Sequence, residues 1–225
     1  MGRAGAHRRA TVGPVSENEL TLDDLAEWLR RFAQIVDENK IYLTDLDSAI
    51  GDADHGANMA RGTAAVVTTL DQANSIDALL KKAGMTLVST VGGTAGPLYG
   101  TLFMKMGMAT GQVVTLSAAD FAGALRSGID GLIARGKTEL EDKTMVDALL
   151  PAIDALDAAL DEGATLHDAV ESAQEASAAG RDATVPLVAR KGRASYLGER
   201  SAGHMDPGAA SATYLWDALS HVVQA

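Results

Sequence analysis

The sequence predicts an all-α fold, an antiparallel up-and-down bundle or helical barrel of eight or nine helices, on three observations. Apolar residues recur with the 3.6-residue period of an α-helix along most of the chain, whereas the alternation typical of strands is nearly absent. Glycine-containing turns separate these segments, and short connections favour antiparallel neighbours. Aromatic residues make up only 4 % of the chain and Gly numbers 23, so we expect the helices to approach one another closely.

The predicted elements follow one another along the chain. In "TLDDLAEWLRRFAQIVDENK", Thr21 and Asp24 form a capping box ahead of an apolar stripe, which predicts the first helix. A second helix over about 40–50 stops at Gly51, because glycine commonly ends helices. Seven further helices are predicted over about 56–72, 76–91, 97–110, 118–136, 144–161, 165–179 and 207–224. The segment "VVTLS" at 113–117 is the one place where a short β-strand competes.

Composition bounds the domain organisation and the class of ligand. The 225 residues, 47 % of them hydrophobic, suffice for one buried core, and we predict a single domain over 20–225 after a disordered tail over 1–19. The net charge of −11 argues against binding nucleic acid or an anionic membrane, and no apolar run reaches transmembrane length. The absence of cysteine excludes disulfides and thiolate metal sites and fits a cytoplasmic location.

The stretch "LDSAIGDADHGANMARG" concentrates acid at a helix junction. Asp47, Asp52 and Asp54 fall within eight positions and repel one another unless they are solvated or share a cation such as Mg²⁺ or Ca²⁺. An EF-hand is excluded, because a loop that starts at Asp52 has Thr63 where a bidentate Glu is needed. Spacing alone leaves two readings open: a metal site, or a solvated turn in which Asp54 caps the next helix.

Three further junctions combine bare helix starts with small residues. They are "VGGTAGPLYGT", "GKTELEDKTMVD" and "GHMDPGAASATYLW". Free N–H groups at a helix start bind phosphate, although Gly-Pro and Asp-Pro are also ordinary helix starters. Alternate helix starts of an antiparallel bundle emerge at the same end, so these loops could share one rim with the acidic stretch. Such a rim would hold an anion through backbone amides and metal rather than through lysine.

Four blocks of the sequence, taken together, resemble a known family. They are "LTDLDSAIGDADHGANMARG", "GGTAGPLYG", "RGKTELEDKTMVDALLPA" and "GRASYLGERSAGHMDPGAASA". Over about residues 22–222 the chain resembles the nucleotide-binding L subunit of dihydroxyacetone kinases, the DhaL family. The resemblance implies an eight-helix antiparallel barrel that holds ADP or ATP at one rim, with two Mg²⁺ ions between the phosphates and the carboxylates of Asp47, Asp52 and Asp54.

The resemblance also implies which other residues surround the nucleotide. Those near the phosphates are His55, Asn58, Gly93, Thr94, Ala95 and Gly96. Those that wall the base, approach the nucleotide or close its adenosine end are Gly136, Thr144, Met145, Arg200, Asp206, Pro207 and Gly208. Many members have serine where this chain has Ala95, so one hydroxyl contact is missing. A hydrogen bond to a charged group contributes about 1.5–3 kcal/mol, too little for its loss to abolish a site with two metals.

The resemblance implies a phosphotransferase that works only with a partner. In this family a separate K-type subunit binds dihydroxyacetone covalently through a histidine, and the L subunit supplies the phosphoryl group. We expect a phosphohistidine protein of the phosphoenolpyruvate phosphotransferase system to rephosphorylate the bound ADP. The first alternative is the L subunit of an ATP-dependent triose or tetrose kinase, acting on dihydroxyacetone or an erythrulose-type sugar. The second is a nucleotide-sensing subunit that docks on a transcription regulator. Self-association stays open.

Overall fold

A computed structural model of the chain describes residues 18–223. Within that range the elements are, in chain order, β1 Glu19–Thr21, α1 Leu22–Glu38, α2 Lys40–Ile50, α3 His55–Val67, α4 Ile76–Thr90, α5 Ala95–Thr110, β2 Thr115–Ser117, α6 Ala118–Gly136, α7 Val146–Asp161, α8 Leu166–Ala183 and α9 Pro207–Val223. Two 3₁₀ segments, Leu70–Gln72 and Arg193–Ser201, lie in the connections. None of the helices described is both long and apolar enough to span a membrane.

Eight of these helices close a ring. In order around the ring, α1 packs on α3, α3 on α4, and each following helix on the next through α9, which packs back on α1. The additional helix, α2, lies outside the ring and packs on α3 and α9. The prediction of an all-α up-and-down barrel of eight helices is therefore confirmed, with α2 as an extra element that carries part of the acidic stretch.

The ring packs around aromatic residues of α1 and around close helix contacts. Trp28 makes edge-to-face contacts of 5.8 Å between ring centroids with both Phe103 and Phe121, and its indole N–H donates to a main-chain carbonyl of α9. A Cβ added at Gly84 of α4 would lie 2.6 Å from the carbonyl oxygen of Gly100 of α5. Only glycine permits that approach, which confirms the expected close packing.

The start of the domain is set by a small antiparallel strand pair. Leu20 of β1 faces Leu116 of β2, so the strand alternative at 113–117 is realised over its last three residues. Asn18 also belongs to the fold, because its carbonyl accepts a hydrogen bond from Ala118 N and its side chain accepts one from Leu166 N. Asn18 and Glu19, which fall within the tail predicted over 1–19, therefore contact the rest of the domain. The rest of the predicted tail lies outside the described residues.

Two predicted helix boundaries are wrong for local reasons. The helix predicted over 56–72 ends at Val67, because the hydroxyls of Thr68 and Thr69 donate to carbonyls three residues back and compete with helix continuation. The helix predicted over 165–179 continues to Ala183 through Gly180. A Cβ at Gly180 would lie 2.0 Å from the carbonyl oxygen of Asp147, so this glycine serves close packing on α7 rather than helix termination.

Candidate functional site

The acidic stretch folds around the carboxylate of Asp47. Asp47 lies in the last turn of α2, and one of its oxygens accepts hydrogen bonds from the main-chain N–H groups of Asp54 (2.8 Å) and His55 (3.0 Å). The start of α3 is therefore capped from α2, whereas Asp54 occupies the N-cap position without a side-chain capping bond. The reading in which Asp54 caps its own helix is thereby corrected, and the Asp54 carboxylate stays available for other partners.

The three carboxylates of the stretch converge. Carboxylate oxygens of Asp47, Asp52 and Asp54 lie within 4.8 Å of one another. The loop that brings them together needs a glycine at Gly51, where a Cβ would lie 2.0 Å from a carboxylate oxygen of Asp47, and it places Ala53 at φ +60. Three hard oxygen ligands at this spacing suit a divalent cation such as Mg²⁺. The residues present therefore fit the metal that the sequence predicts.

A second loop faces the acidic cluster at the start of α5. Gly92 lies against Asn58 of α3, since a Cβ there would be 2.9 Å from the Asn58 amide nitrogen. Gly93 has φ +65, a conformation that favours glycine, and α5 begins two residues later at Ala95. The first N–H groups of a helix have no partner within that helix, so this turn is suited to an anion. The turn before α5 thus packs on α3, the helix that begins directly after the acidic cluster.

His55 is oriented by a buried hydroxyl pair. Its Nε2 lies 2.9 Å from the Ser211 hydroxyl of α9, and the same hydroxyl lies 2.8 Å from the Tyr99 hydroxyl of α5. Burial lowers the pKa of His55, while the nearby Asp47 and Asp54 raise it. Burial raises the pKa of Tyr99, so its phenol stays protonated. The network joins α3, α5 and α9 and fixes the His55 ring at the edge of the acidic cluster.

The start of α9 brings a further acidic group to the site. A carboxylate oxygen of Asp206 accepts a hydrogen bond of 2.7 Å from Ala209 N, which caps the helix that begins at Pro207. The pKa of Asp206 is raised to about 7. Burial is the largest cause and the charges of Asp147 and Asp47 add to it, whereas the hydrogen bond from Ala209 N and the charge of Lys143 oppose it. Near neutral pH this carboxyl is consequently divided between its protonated and ionised forms.

These loops and helix ends surround one pocket of about 370 Å³. The candidates from the sequence that line it are Asp47, Asp52, Asp54, His55, Asn58, Gly93, Thr94, Ala95, Gly136, Thr144, Met145, Asp206, Pro207 and Gly208. Leu98, Leu132 and Val146 add an apolar wall. The pocket therefore combines an acidic and amide-rich part with an apolar part. The individual roles of these residues stay predictions.

Two candidates fall outside the pocket. Gly96 is buried, and a Cβ there would lie 2.3 Å from the carbonyl oxygen of Val91, so this glycine lets α5 start close to the end of α4. Arg200 is exposed near the end of the 3₁₀ segment and does not line the pocket. Arg193 lines it instead, and its guanidinium lies 2.9 Å from the Asp52 carboxylate. Of the two arginines in the block "GRASYLGERS", the structure thus brings Arg193 to the pocket, and the role predicted for Arg200 stays a prediction.

The sequence interpretation also missed positive charge in the pocket. Lys143, Lys191 and Arg193 all line it, although the sequence led us to expect amides and metal without lysine. Lys143 stands inside the quoted block "EDKTMVD", so its place near the site was readable, but its burial was not. Arg193 follows Gly192, which has φ +64 and turns the chain at this point. No spacing rule distinguishes Arg193 from Arg200, which lies seven residues further along the chain.

A family comparison decides the identity of the fold. The family described as the DAK2 domain matches residues 49–221, which includes most of the barrel, the second and third acidic residues and every loop of the pocket. The chain belongs to the DAK2 domain family. Asp47, which caps α3 of this DAK2 domain, lies just before the matched range.

This DAK2 domain matches curated relatives over nearly their whole length. The PEP-dependent dihydroxyacetone kinase ADP-binding subunit DhaL of Escherichia coli is 42 % identical over 203 residues, which are 89 % of this chain and 97 % of the relative. The PTS-dependent dihydroxyacetone kinase ADP-binding subunit DhaL of Lactococcus lactis is 41 % identical over 91 % of this chain and 99 % of the relative. The resemblance to the DhaL family is thereby confirmed.

A solved structure supports the fold of the DAK2 domain. The dihydroxyacetone kinase from C. freundii in complex with AMP-PNP and Mg²⁺ superposes with a TM-score of 0.68 at 23 % identity. The match covers 98 % of this chain and 37 % of that one. The DAK2 domain thus spans little more than a third of that kinase chain, and at this identity the likeness shows the barrel fold.

Proposed function

We propose that this chain is the ADP- or ATP-binding phosphoryl-donor subunit of a dihydroxyacetone kinase. One observation carries the proposal: the oxygens of Asp47, Asp52 and Asp54 converge within 4.8 Å in a pocket that also has an apolar wall. A metal-bound polyphosphate with an attached base needs both chemistries in one place. The DhaL subunits of Escherichia coli and Lactococcus lactis, described as ADP-binding, support it because this chain matches almost all of their length.

The pocket offers distinct partners to each part of a nucleotide. Asp47, Asp52 and Asp54 would hold Mg²⁺, and the resemblance implies two ions. The loop at Gly93 and the first N–H groups of α5 would donate hydrogen bonds to the phosphates. The apolar wall, together with the neighbouring Met145, would cover the base. Bound Mg²⁺ supplies charge neutralisation of the phosphates, and the protein holds the nucleotide in place, which is most of what phosphoryl transfer requires.

The acceptor sugar would come from a second protein. The relatives matched over nearly their full length are described as subunits, and the C. freundii kinase chain is more than twice as long as this domain. We therefore propose a K-type partner that binds dihydroxyacetone and presents it to the pocket. Phosphoryl transfer then needs the two chains together, with this chain as donor. We place the pair in the cytoplasm, in keeping with a chain that has no cysteine.

We propose that ADP stays bound and is rephosphorylated in place by a phosphohistidine protein of the phosphotransferase system. The relatives described as PEP-dependent and PTS-dependent support this route. The test is steady-state formation of dihydroxyacetone phosphate by this chain and a K-type subunit, with either phosphoenolpyruvate plus the phosphotransferase proteins or ATP as the source. We expect turnover with the first source and little with the second, and none without the K-type subunit.

Two variants connect that assay to the pocket. Asp54→Asn removes a cluster carboxylate, whereas Asp45→Asn removes an exposed carboxylate from α2 outside the cluster. We expect Asp54→Asn to abolish turnover and Asp45→Asn to leave it unchanged. Turnover on ATP alone would replace the phosphotransferase route with the ATP-dependent alternative. Absence of turnover from both sources, with nucleotide-dependent binding to a regulator, would replace catalysis with sensing.

A further inference from the structure

Lys143 is a buried ammonium whose hydrogen-bond partners are all main-chain carbonyls. The residue is 1 % exposed, and its Nζ donates to the carbonyl oxygens of Thr184 (2.6 Å) and His204, with that of Val185 at 3.5 Å. An ammonium has three N–H groups, and all three are accounted for by these carbonyls. Lys143 thus has no donor left for a phosphate, although it lines the pocket.

The carbonyls that Lys143 contacts belong to two other segments of the chain, and one of these segments leads into the pocket wall at Asp206. Thr184 follows α8, and His204 immediately precedes the loop from Met205 to α9 that includes Asp206. The same joint has two further bonds, from Asp206 N to the Thr184 hydroxyl (3.1 Å) and from Gly203 N to the carbonyl of Val185 (2.7 Å). Lys143 therefore connects the loop between α6 and α7 with the loop that starts α9.

The backbone around Lys143 is itself held in an uncommon conformation. Lys143 has φ +62 and Glu141 has φ +67, and such values cost energy in residues other than glycine. The Asp147 carboxylate restrains the loop by accepting hydrogen bonds from Glu141 N and Thr144 N. The loop is thus bent back so that the Lys143 side chain enters the protein and Thr144 faces the pocket.

Burying the charge of Lys143 lowers the stability of the fold. Burial lowers its pKa, which Asp206 and Asp147 partly offset, and in the part of the chain that the structure describes Lys143 forms no ion pair. A buried charge without a paired charge is unfavourable relative to an apolar side chain of similar size. The need to fill space does not explain why a charged side chain is buried here, because an apolar one would do so at lower cost. The ability of the ammonium to hold three carbonyls at one point does explain it.

We propose that Lys143 is a positioning residue that sets the shape of the apolar end of the nucleotide pocket. Met145, two residues after Lys143, and Gly208, four residues after His204, both line the pocket and lie side by side there, with 3.6 Å between the Met145 methyl and the place of a Gly208 Cβ. By fixing both loops, Lys143 selects a flat adenine base without contacting it. The inference rests on the proposed function, because it assigns the base to this end.

The test compares a ligand that has the base with one that lacks it. Thermal unfolding is followed at rising concentrations of MgADP or of magnesium tripolyphosphate, since a ligand that binds the folded state raises the melting temperature whether it binds weakly or tightly. Lys143→Met is expected to reduce the affinity for MgADP by about tenfold or more, which corresponds to about 1.4 kcal/mol, because the two loops lose the side chain that holds them together. Its affinity for magnesium tripolyphosphate is expected to stay within about twofold of the wild type.

Matched variants keep this test decisive. Lys137→Met removes an exposed lysine from the same loop and is expected to change neither affinity. Thr184→Val leaves the ammonium in place but removes the hydroxyl that Asp206 N contacts, so it should reproduce the loss for MgADP in weaker form even if Lys143→Met does not fold.

Three results would overturn the inference. The first is an equal loss of affinity for MgADP and magnesium tripolyphosphate in Lys143→Met, and the second is a loss of affinity for tripolyphosphate alone. The third is unchanged affinity for MgADP in both Lys143→Met and Thr184→Val. A wild-type protein that binds neither ligand would contradict the proposed function instead.

Discussion

The guanidinium of Arg193 lies 2.9 Å from the carboxylate of Asp52, so a cation of the chain itself approaches the acidic cluster. The two side chains are 67 % and 35 % exposed, and such pairs contribute less than about 1 kcal/mol to stability. The guanidinium carries a fixed positive charge beside the place proposed for the phosphates. The relationship is therefore more significant for ligand binding than for folding.

This ion pair predicts the effect of removing the arginine. Arg193→Gln is expected to change the free energy of unfolding by less than about 1 kcal/mol and to reduce phosphoryl transfer to the K-type partner by at least about tenfold. Arg200→Gln, in the same 3₁₀ segment but outside the pocket, serves as the control. The urea midpoint and the transfer rate are the two measurements. A greater loss of transfer in Arg200→Gln would restore the interpretation made from the sequence.

The hydroxyl pair behind His55 predicts a coupled change in binding and stability. Ser211→Ala removes the partner of His55 Nε2 and leaves the buried Tyr99 hydroxyl without it, which is expected to cost about 1–3 kcal/mol of stability. It should also weaken MgADP binding severalfold, because the His55 ring loses its orientation. Tyr99→Phe keeps the His55–Ser211 contact and should weaken binding less. Calorimetric titration of both variants checks this, and wild-type affinity in Ser211→Ala would contradict it.

Asp206 predicts a pH dependence of stability with a definite sign. Its pKa is raised to about 7 in the folded protein, so the folded state holds more protons than the unfolded state between about pH 4 and 7. The free energy of unfolding is therefore expected to decrease as the pH rises through this window, and the loss is complete above pH 7.

Asp206→Asn isolates this contribution, since an asparagine oxygen can still accept the Ala209 N–H. Relative to this variant, the wild type is expected to lose up to roughly 4 kcal/mol between pH 4 and 8, because one pH unit between folded and unfolded pKa values corresponds to about 1.4 kcal/mol. Urea unfolding at several pH values provides the measurement. Parallel pH profiles for the two proteins would exclude a raised pKa at Asp206.

Ala95 predicts a gain of affinity. This partly exposed residue lies at the first position of α5, beside the amides proposed to hold the phosphates. Ala95→Ser adds a hydroxyl there and is expected to strengthen MgADP binding by roughly tenfold, close to the lower end of the range for a hydrogen bond to a charged group. Ala109→Ser, exposed near the other end of α5, is the control. Unchanged affinity in Ala95→Ser would place the phosphates elsewhere.

The acidic cluster and the helix starts could be predicted because their signals are local. Gly51, Gly93 and Pro207 mark the ends of elements, and the barrel rule then brings the loops to one rim. The ring itself follows from helical periodicity and short connections. The exclusion of α2 from the ring was not predictable, because it depends on which helices bury the most surface together.

The errors concern side-chain direction. Whether Asp47 or Asp54 caps α3 depends on the path of a loop that includes Ala53 at φ +60, and sequence spacing does not report that path. The same limit applies to Arg193 and Arg200, which stand in one 3₁₀ segment although only Arg193 lines the pocket. Lys143 shows the reverse case, a residue of a recognised block whose burial only the three-dimensional arrangement reveals.

The central claim, that this chain donates a phosphoryl group from a nucleotide it keeps bound, is tested most directly by one single-turnover measurement. The protein is loaded with Mg²⁺ and ATP labelled at the γ-phosphate, freed of unbound nucleotide, and mixed with a K-type subunit carrying dihydroxyacetone. We expect the label to move to dihydroxyacetone phosphate in one turnover, ADP to remain on this chain, and Asp54→Asn to transfer nothing. Label that stays on the nucleotide, or that leaves as free phosphate, would contradict it.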